Sequence, residues 1–281
     1  MMLDLIEIIK VIILGIVEGI TEWLPISSTG HMLLVDEFIQ IKASDSFKEM
    51  FFVVIQLGAI MAVVILFWNK MFPFEVSAIK DKNKSFIKKD IFTMWFKVVV
   101  ACIPGTAVTL LFGDFIDRYL ETPVVIASTL ILYGVIFIAV ENWNKKRTPK
   151  IETLNDITYT TALIIGLFQV LSIIPGTSRS GATIIGALII GVSRVAAAEF
   201  TFFLAVPVMF GLSFIKIIKF GLSFNASEIA ILTIGVVVAF LVSVMVIKFL
   251  MGYIRKHDFK IFGWYRIIIG VILLAYFILI K

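Results

Sequence analysis

The chain has 281 residues, of which 60% are hydrophobic and 16% charged, with a mean hydropathy of +1.06 and a formal net charge of +5. Soluble domains carry about a quarter charged residues and roughly half apolar ones. Here the apolar excess is gathered into long runs, which excludes a soluble fold and a strand-by-strand barrel and points to a polytopic helical membrane protein. The basic residues sit in short loops between those runs, where they act as topology signals and not as a nucleic-acid surface. Cys102, the single cysteine, excludes a disulfide framework.

Residues 5–40 come first. They are apolar but broken by Glu18, Glu22 and Pro25, and no small-residue cleavage site follows, so a removable signal peptide is not expected. Glu18 and Glu22 are four apart and share one helix face. Carboxylates at this depth are costly, face interior cavities and mark function. Gly15 lies near the same face and would let another helix approach closely. Pro25 ends the helix, Ser27 or Ser28 is placed to cap the next one, and His31 follows at once.

The run at 50–69 is the first long enough to cross about 30 Å of hydrocarbon. The 70–90 loop carries Lys70, Lys80, Lys82, Lys84, Lys88 and Lys89. Runs at 91–112 and 122–140 follow, separated by an acidic loop with Asp114, Asp117 and Glu121 against Arg118. A second basic loop, 141–156, holds Lys145, Lys146, Arg147 and Lys150. Residues 157–192 are apolar but broken at Pro175, and 200–220, 228–250 and 261–280 complete the spans. The last connection, 251–260, is again basic, with Arg255, Lys256 and Lys260, and His257 in it reads as solvated. Within the spans, Lys97 and Arg266 lie close enough to helix ends to snorkel or pair. Broken helices are tolerated at membrane depth only where protein or a wet cavity surrounds them. The three basic loops share the cytoplasmic side only if neither broken segment crosses. The expected fold is therefore all-α: six transmembrane helices plus two re-entrant helix pairs, forming a single integral membrane domain over 1–281.

The sequence repeats weakly. GIVEGITEWLPISSTG at 15–30 lies over GLFQVLSIIPGTSRSG at 166–181, matching Gly15 to Gly166, Glu18 to Gln169, Ser27 to Ser178, Thr29 to Ser180 and Gly30 to Gly181. The repeat halves would be about 1–150 and 151–281, each one re-entrant pair plus three spans. An odd number of crossings gives the halves opposite orientation, an inverted-topology repeat of the transporter kind whose broken helices meet near the midplane.

At that meeting point the residues suit an anion. Two helix N-termini present unpaired amides and the positive ends of their dipoles. Arg179 adds a planar cation suited to phosphoryl oxygens. Around it stand Ser27, Ser28, Thr29, Ser178, Ser180 and Thr183, more hydroxyls than capping needs. Carboxylates, imidazole and guanidinium in an apolar shell are equipment for phosphoryl transfer on an anionic amphiphile. No Gly-rich P-loop is present to support a nucleotide-driven pump.

EGITEWLPISSTGH (18–31) and PGTSRSGAT (175–183) resemble the two signatures of the bacterial undecaprenyl-diphosphate phosphatase family, also called bacitracin-resistance proteins. FFVVIQLGAI (51–60) and GVSRVAAAEFTFFLAVP (191–207) extend the resemblance along the chain. It implies an enzyme of the bacterial cell membrane that removes the terminal phosphate of the C55 isoprenoid diphosphate. The product would be the monophosphate carrier of peptidoglycan synthesis. The family's catalytic acids fall on Glu18 and Glu22, its serines on Ser27 and Ser28, its histidine on His31 and its arginine on Arg179. Thr29, Ser178, Ser180 and Thr183 join Arg179 as expected phosphate-binding groups. The family is associated with a divalent cation, Mg or Ca, which would fall on Glu18 and Glu22, although the sequence has no dedicated metal-ligand set. The expected partners are the polyprenyl diphosphate, membrane lipids and, at most, a second copy in a homodimer. The expected site opens to the outer face. A polyprenyl-phosphate flippase is the alternative that the inverted repeat favours.

Overall fold

The computed structural model describes residues 4–75, 86–120, 122–221 and 223–279, without the side chains of residues 114–119. Lys80, Lys82 and Lys84 of the first basic loop, Glu121, and the side chains of Asp114, Asp117 and Arg118 lie outside the described residues. The described residues form helices α1 (Leu5–Thr21), α2 (Ser28–Phe38), α3 (Asp45–Val54), α4 (Gln56–Leu66), α5 (Trp68–Met71), α6 (Lys89–Tyr119), α7 (Pro123–Asn144), α8 (Tyr159–Val170), α9 (Arg179–Ile189), α10 (Arg194–Phe220), α11 (Ala226–Ile254) and α12 (Lys260–Leu279). Six spans are long and apolar enough to cross a membrane: Asp45–Leu66, Lys89–Gly113, Pro123–Asn144, Arg194–Phe220, Ala226–Ile254 and Lys260–Leu279.

The ends of these helices are set by side-chain caps more than by where the apolar run begins. The 50–69 run is helical from Asp45 because the Ser44 hydroxyl accepts the Phe47 amide, and the 200–220 run starts at Arg194 because Ser193 does the same for Ala196. Asn225 and Glu228 close a reciprocal capping box on α11, whose 29 residues reach about 43 Å and so exceed the hydrocarbon thickness. The first span is two helices, with a break at Ile55 between α3 and α4.

Without water to drive apolar faces together, helices in lipid pack where small residues let backbones approach. Gly15 sits against the Gly235 carbonyl as α1 crosses α11, and Gly166 sits against the Ala101 carbonyl as α8 crosses α6. Gly58 faces the Val236 carbonyl of α11, at 2.1 Å from where a Cβ would lie. The α7–α12 crossing is reciprocal: Gly134 approaches the Gly263 carbonyl and Gly263 approaches the Gly134 carbonyl. The phenylalanines divide. Phe47, Phe51, Phe137, Phe200, Phe202 and Phe203 are buried, whereas Phe210, Phe214 and Phe249 are exposed to the surroundings.

Two helical hairpins carry the breaks. The outer ends of the first are tied by Lys10 Nζ to the Gln40 carbonyl (2.7 Å) and by the Lys42 amide to Glu7 Oε2 (2.8 Å). Those of the second are tied by the Lys150 amide to the Gly191 carbonyl (2.8 Å) and the Ser193 amide to the Ile151 carbonyl (2.8 Å). The three basic loops meet at one end of the bundle, where a cavity of about 1100 Å³ is lined by Lys70 and Lys88, Glu152 and Asn155, and Arg255. At the same end Arg194 makes a bidentate pair with the fully buried Glu141, which also accepts the Phe259 amide at 3.0 Å, joining α7, α10 and α12.

The tight crossings predict opposite outcomes for one substitution. Gly58→Ala forces α4 off α11 and is expected to lower stability by about 1–3 kcal/mol. Gly211→Ala, with nothing within 4 Å, should hold or raise the melting temperature in detergent, since alanine is the better helix former. Thermal unfolding of the two variants side by side checks this.

Candidate active site

The second helix of each hairpin begins with the same device. Ser27 and Ser178, matched in the repeat, are the only described non-glycine residues with positive φ, at 75° and 71°. Each hydroxyl accepts an amide three residues on, Gly30 and Gly181 respectively. Such conformations cost of order 1–3 kcal/mol and persist where surrounding contacts over-determine them. The contact that does so is Arg266 of α12. Its side chain is completely buried, and it donates to the Pro25 carbonyl (3.3 Å), the Gly176 carbonyl (2.7 Å) and the Thr177 carbonyl (2.6 Å). Gly176, at φ 87°, is obligatory as well, because a Cβ there would lie 2.1 Å from the Thr129 hydroxyl.

Between the two breaks Glu22 is the hub. Its Oε1 accepts Arg179 Nη2 at 2.9 Å and its Oε2 accepts the Ser28 hydroxyl at 2.6 Å. The Ser180 hydroxyl reaches the Glu22 carbonyl at 3.4 Å and lies 3.1 Å from that of Ser178. Arg179 is held in turn by the Thr201 carbonyl (3.1 Å) and Met209 Sδ (3.7 Å). Thr183 is fully buried and pairs with the Thr201 hydroxyl at 2.9 Å, so it braces α9 against α10. Thr29 is exposed on α2 and joins no hydrogen bond to this network among the described residues. Glu18, one turn before Glu22, is buried, and its Oε1 has no hydrogen-bond partner among the described residues.

His31 belongs to a neighbouring group. Its Nδ1 lies 2.7 Å from the Ser27 carbonyl and its Nε2 lies 2.8 Å from the Tyr265 hydroxyl. No hydrogen bond joins it to Glu22, Ser28 or Arg179 among the described residues. The structure thus gathers Glu22, Ser28, Arg179, Ser178 and Ser180 into one network, with Thr183 behind it. His31 and the Ser27 carbonyl stand beside it. A carboxylate bonded to a hydroxyl is a base–nucleophile pair. A guanidinium between two helix N-termini is an anion grip. A divalent cation does not fit as a protein-only site: no three His, Cys, Asp or Glu residues converge among the described residues, and both Glu22 oxygens are already engaged.

The sequence profile of the bacitracin resistance protein BacA family matches residues 11–272. The chain belongs to the BacA family. It is 69% identical over 274 residues to an undecaprenyl-diphosphatase of Enterococcus faecalis, covering 98% of each chain. It is 60% identical over 279 residues to an undecaprenyl-diphosphatase of Lachnoclostridium phytofermentans, covering 99% of this chain and all of that one. A third relative of that name, from Desulfitobacterium hafniense, is 60% identical over 97% of each chain.

Two residues of this cluster are not evident from sequence. Arg266 reads as an arginine near a helix end, free to snorkel or pair, yet it is wholly enclosed and bonded to both hairpins. A cation some 240 residues from Pro25 carries no local signal of its partner. Tyr265 is one of many apolar-face aromatics until the fold sets it on His31.

Arg266→Met should leave three main-chain carbonyls without their donor. At the ~0.6–1.7 kcal/mol typical of hydrogen bonds within membrane proteins, the loss is about 2–5 kcal/mol. Arg266→Lys should recover part of it. Urea or thermal unfolding in detergent measures both.

Proposed function

We infer that this chain hydrolyses undecaprenyl diphosphate to undecaprenyl phosphate and inorganic phosphate, returning the lipid carrier for peptidoglycan synthesis. One observation carries the reading. Arg179, Glu22 and Ser28 stand in consecutive contact at 2.9 and 2.6 Å, between two helix N-termini, in a chain 60–69% identical to proteins named for this reaction.

The geometry gives each group a part. Before substrate arrives, Glu22 and Arg179 neutralise one another, which a charge at this depth requires. The terminal phosphate takes Arg179 from Glu22 and is held by the amides opening α2 and α9 and by Ser178 and Ser180. Glu22 is then free to accept the Ser28 proton. Ser28 Oγ attacks the terminal phosphorus in line, the bond to the bridging oxygen breaks, and the lipid monophosphate leaves with that electron pair. Water next attacks the phosphoserine, the Ser28 Oγ–phosphorus bond breaks, one water proton passes by way of Glu22 to Ser28 Oγ, and inorganic phosphate departs. A water activated by Glu22 would yield the same products without the covalent species. Ser27 serves as the cap, its hydroxyl engaged by Gly30. Glu18 lies behind Glu22 as a tuning carboxyl, and His31 serves proton exchange.

The two hairpins are read as re-entrant pairs in an inverted repeat, with the site opening outward. Support comes from the joined outer ends of each hairpin and from the crossings α1–α11 and α8–α6, which the two halves exchange. The first hairpin opens beside Phe47 and Phe220, at the far end of α10 from the basic loops, which mark the cytoplasmic side. A second reading, lipid-carrier transport, is favoured by the exchange of the crossings α1–α11 and α8–α6 between the two halves, the pattern of an inverted repeat.

Phosphate release from a prenyl diphosphate by purified protein in detergent is the test. Arg179→Ala and Glu22→Ala should each lower kcat/KM by about 10²–10⁴-fold. Release that survives both changes rejects the site, and transbilayer movement in vesicles without release favours transport.

Rapid quench decides the nucleophile. Phosphoserine should accumulate and vanish in Ser28→Ala, whereas Ser27→Ala should lose mainly stability, about 1 kcal/mol for a lost cap. Normal turnover by Ser28→Ala rejects Ser28 as the attacking group.

A further inference from the structure

We propose that Tyr265 is a positioning residue for His31: its hydroxyl donates to Nε2 of an imidazole whose tautomer the Ser27 carbonyl sets, and so holds the ring's orientation and its lone pair. This rests on the phosphatase reading for what the imidazole does in turnover, but not for the contact itself.

The argument begins with hydrogen-bond valence. A main-chain carbonyl only accepts, so the 2.7 Å contact between His31 Nδ1 and the Ser27 carbonyl requires the hydrogen on Nδ1. In the neutral ring Nε2 then carries the lone pair, and the 2.8 Å contact with Tyr265 must be the phenol donating to it. Both nitrogens are engaged. His31 is 9% exposed, while Tyr265 is 38% exposed. The two rings are nearly coplanar in orientation, 7° between planes at 5.6 Å between centroids, so the phenol cannot swing off Nε2 without losing ring packing. The Tyr265 hydroxyl therefore holds the Nε2 lone pair and, through the ring packing, the orientation of the imidazole.

The fold makes this arrangement stable on both sides. Ser27 is in its positive-φ conformation, so the carbonyl that holds Nδ1 belongs to the same residue that caps α2. Tyr265 is next in sequence to Arg266, whose guanidinium is pinned by the two breaks. One turn of α12 thus sets both the backbone of the anion grip and the imidazole beside it. A tyrosine in this role differs from a phenylalanine only in the hydroxyl, so the aromatic packing and the hydrogen bond can be separated experimentally.

The chain has two histidines, which allows a direct spectroscopic test. Full-length His257→Gln protein, labelled with ¹⁵N-histidine in detergent, shows His31 as its only imidazole. The expected spectrum is a neutral ring protonated at Nδ1. Tyr265→Phe should move the Nε2 resonance toward that of a lone pair without a donor and leave Nδ1 in place. Tyr265→Phe should also lower kcat by about 10–100-fold at nearly constant KM, and in a His31→Asn background it should add nothing further. A ring protonated at Nε2, or an Nε2 resonance unmoved by Tyr265→Phe, overturns the proposal. So does a Tyr265→Phe loss that adds in full to that of His31→Asn. Should the protein release no phosphate at all, the phosphatase reading fails while the spectra still decide the Tyr265–His31 contact.

Discussion

Glu22 and Arg179 meet at 2.9 Å although 157 residues of chain separate them. A charged pair enclosed by apolar helices is stable only when both partners are present, because removing one leaves an uncompensated buried charge. The rest of the molecule answers to that constraint. Each partner stands beside a break in its hairpin, and each hairpin must reach the same depth for the two to touch. The pair gives the resting protein a neutral site, and it gives an incoming phosphate something to exchange with. A diphosphate can displace a carboxylate from a guanidinium because it offers the same planar recognition with more charge.

What holds the two breaks in register is less visible than the pair itself. Ser27 and Ser178 adopt the left-handed region without a glycine's freedom, and each hydroxyl accepts an amide of the helix it opens. The strain is balanced by Arg266, which gathers carbonyls from residues 25, 176 and 177 around one cation. Here a buried arginine does for main chain what Arg179 does for substrate.

Around this centre, packing follows the rules of a lipid solvent. The α7–α12 and α1–α11 crossings are glycine against carbonyl, where dispersion and close approach replace the hydrophobic drive available in water. Large aromatic side chains fill the space between α10 and its neighbours, as where Trp23 meets Phe202 edge-on at 5.2 Å. Trp23 follows Glu22 directly, while the direction of the carboxylate is set by Arg179 and Ser28.

The sequence by itself determined the class, the number of spans, and the two interrupted segments, because hydropathy and proline act locally and lipid tolerates few exceptions. It also marked Glu22, Ser28, Arg179, Ser178 and Ser180, since polar residues at membrane depth are expensive enough to stand out. It did not separate the roles of hydroxyls at adjacent positions. Ser27 turned to capping and Ser28 to Glu22, Thr29 was left exposed and Thr183 went to brace Thr201. The start of a helix can be read from composition, but the direction of each side chain depends on φ at the cap. Helix boundaries moved outward at Asp45 and Arg194 because a serine cap outweighs the edge of an apolar run. Only the tertiary structure could bring Arg266 to both breaks and Tyr265 to His31, contacts spanning 89 to 241 residues. A pattern along the chain records which residues are costly to bury, while which distant partner relieves that cost is settled by how the helices cross.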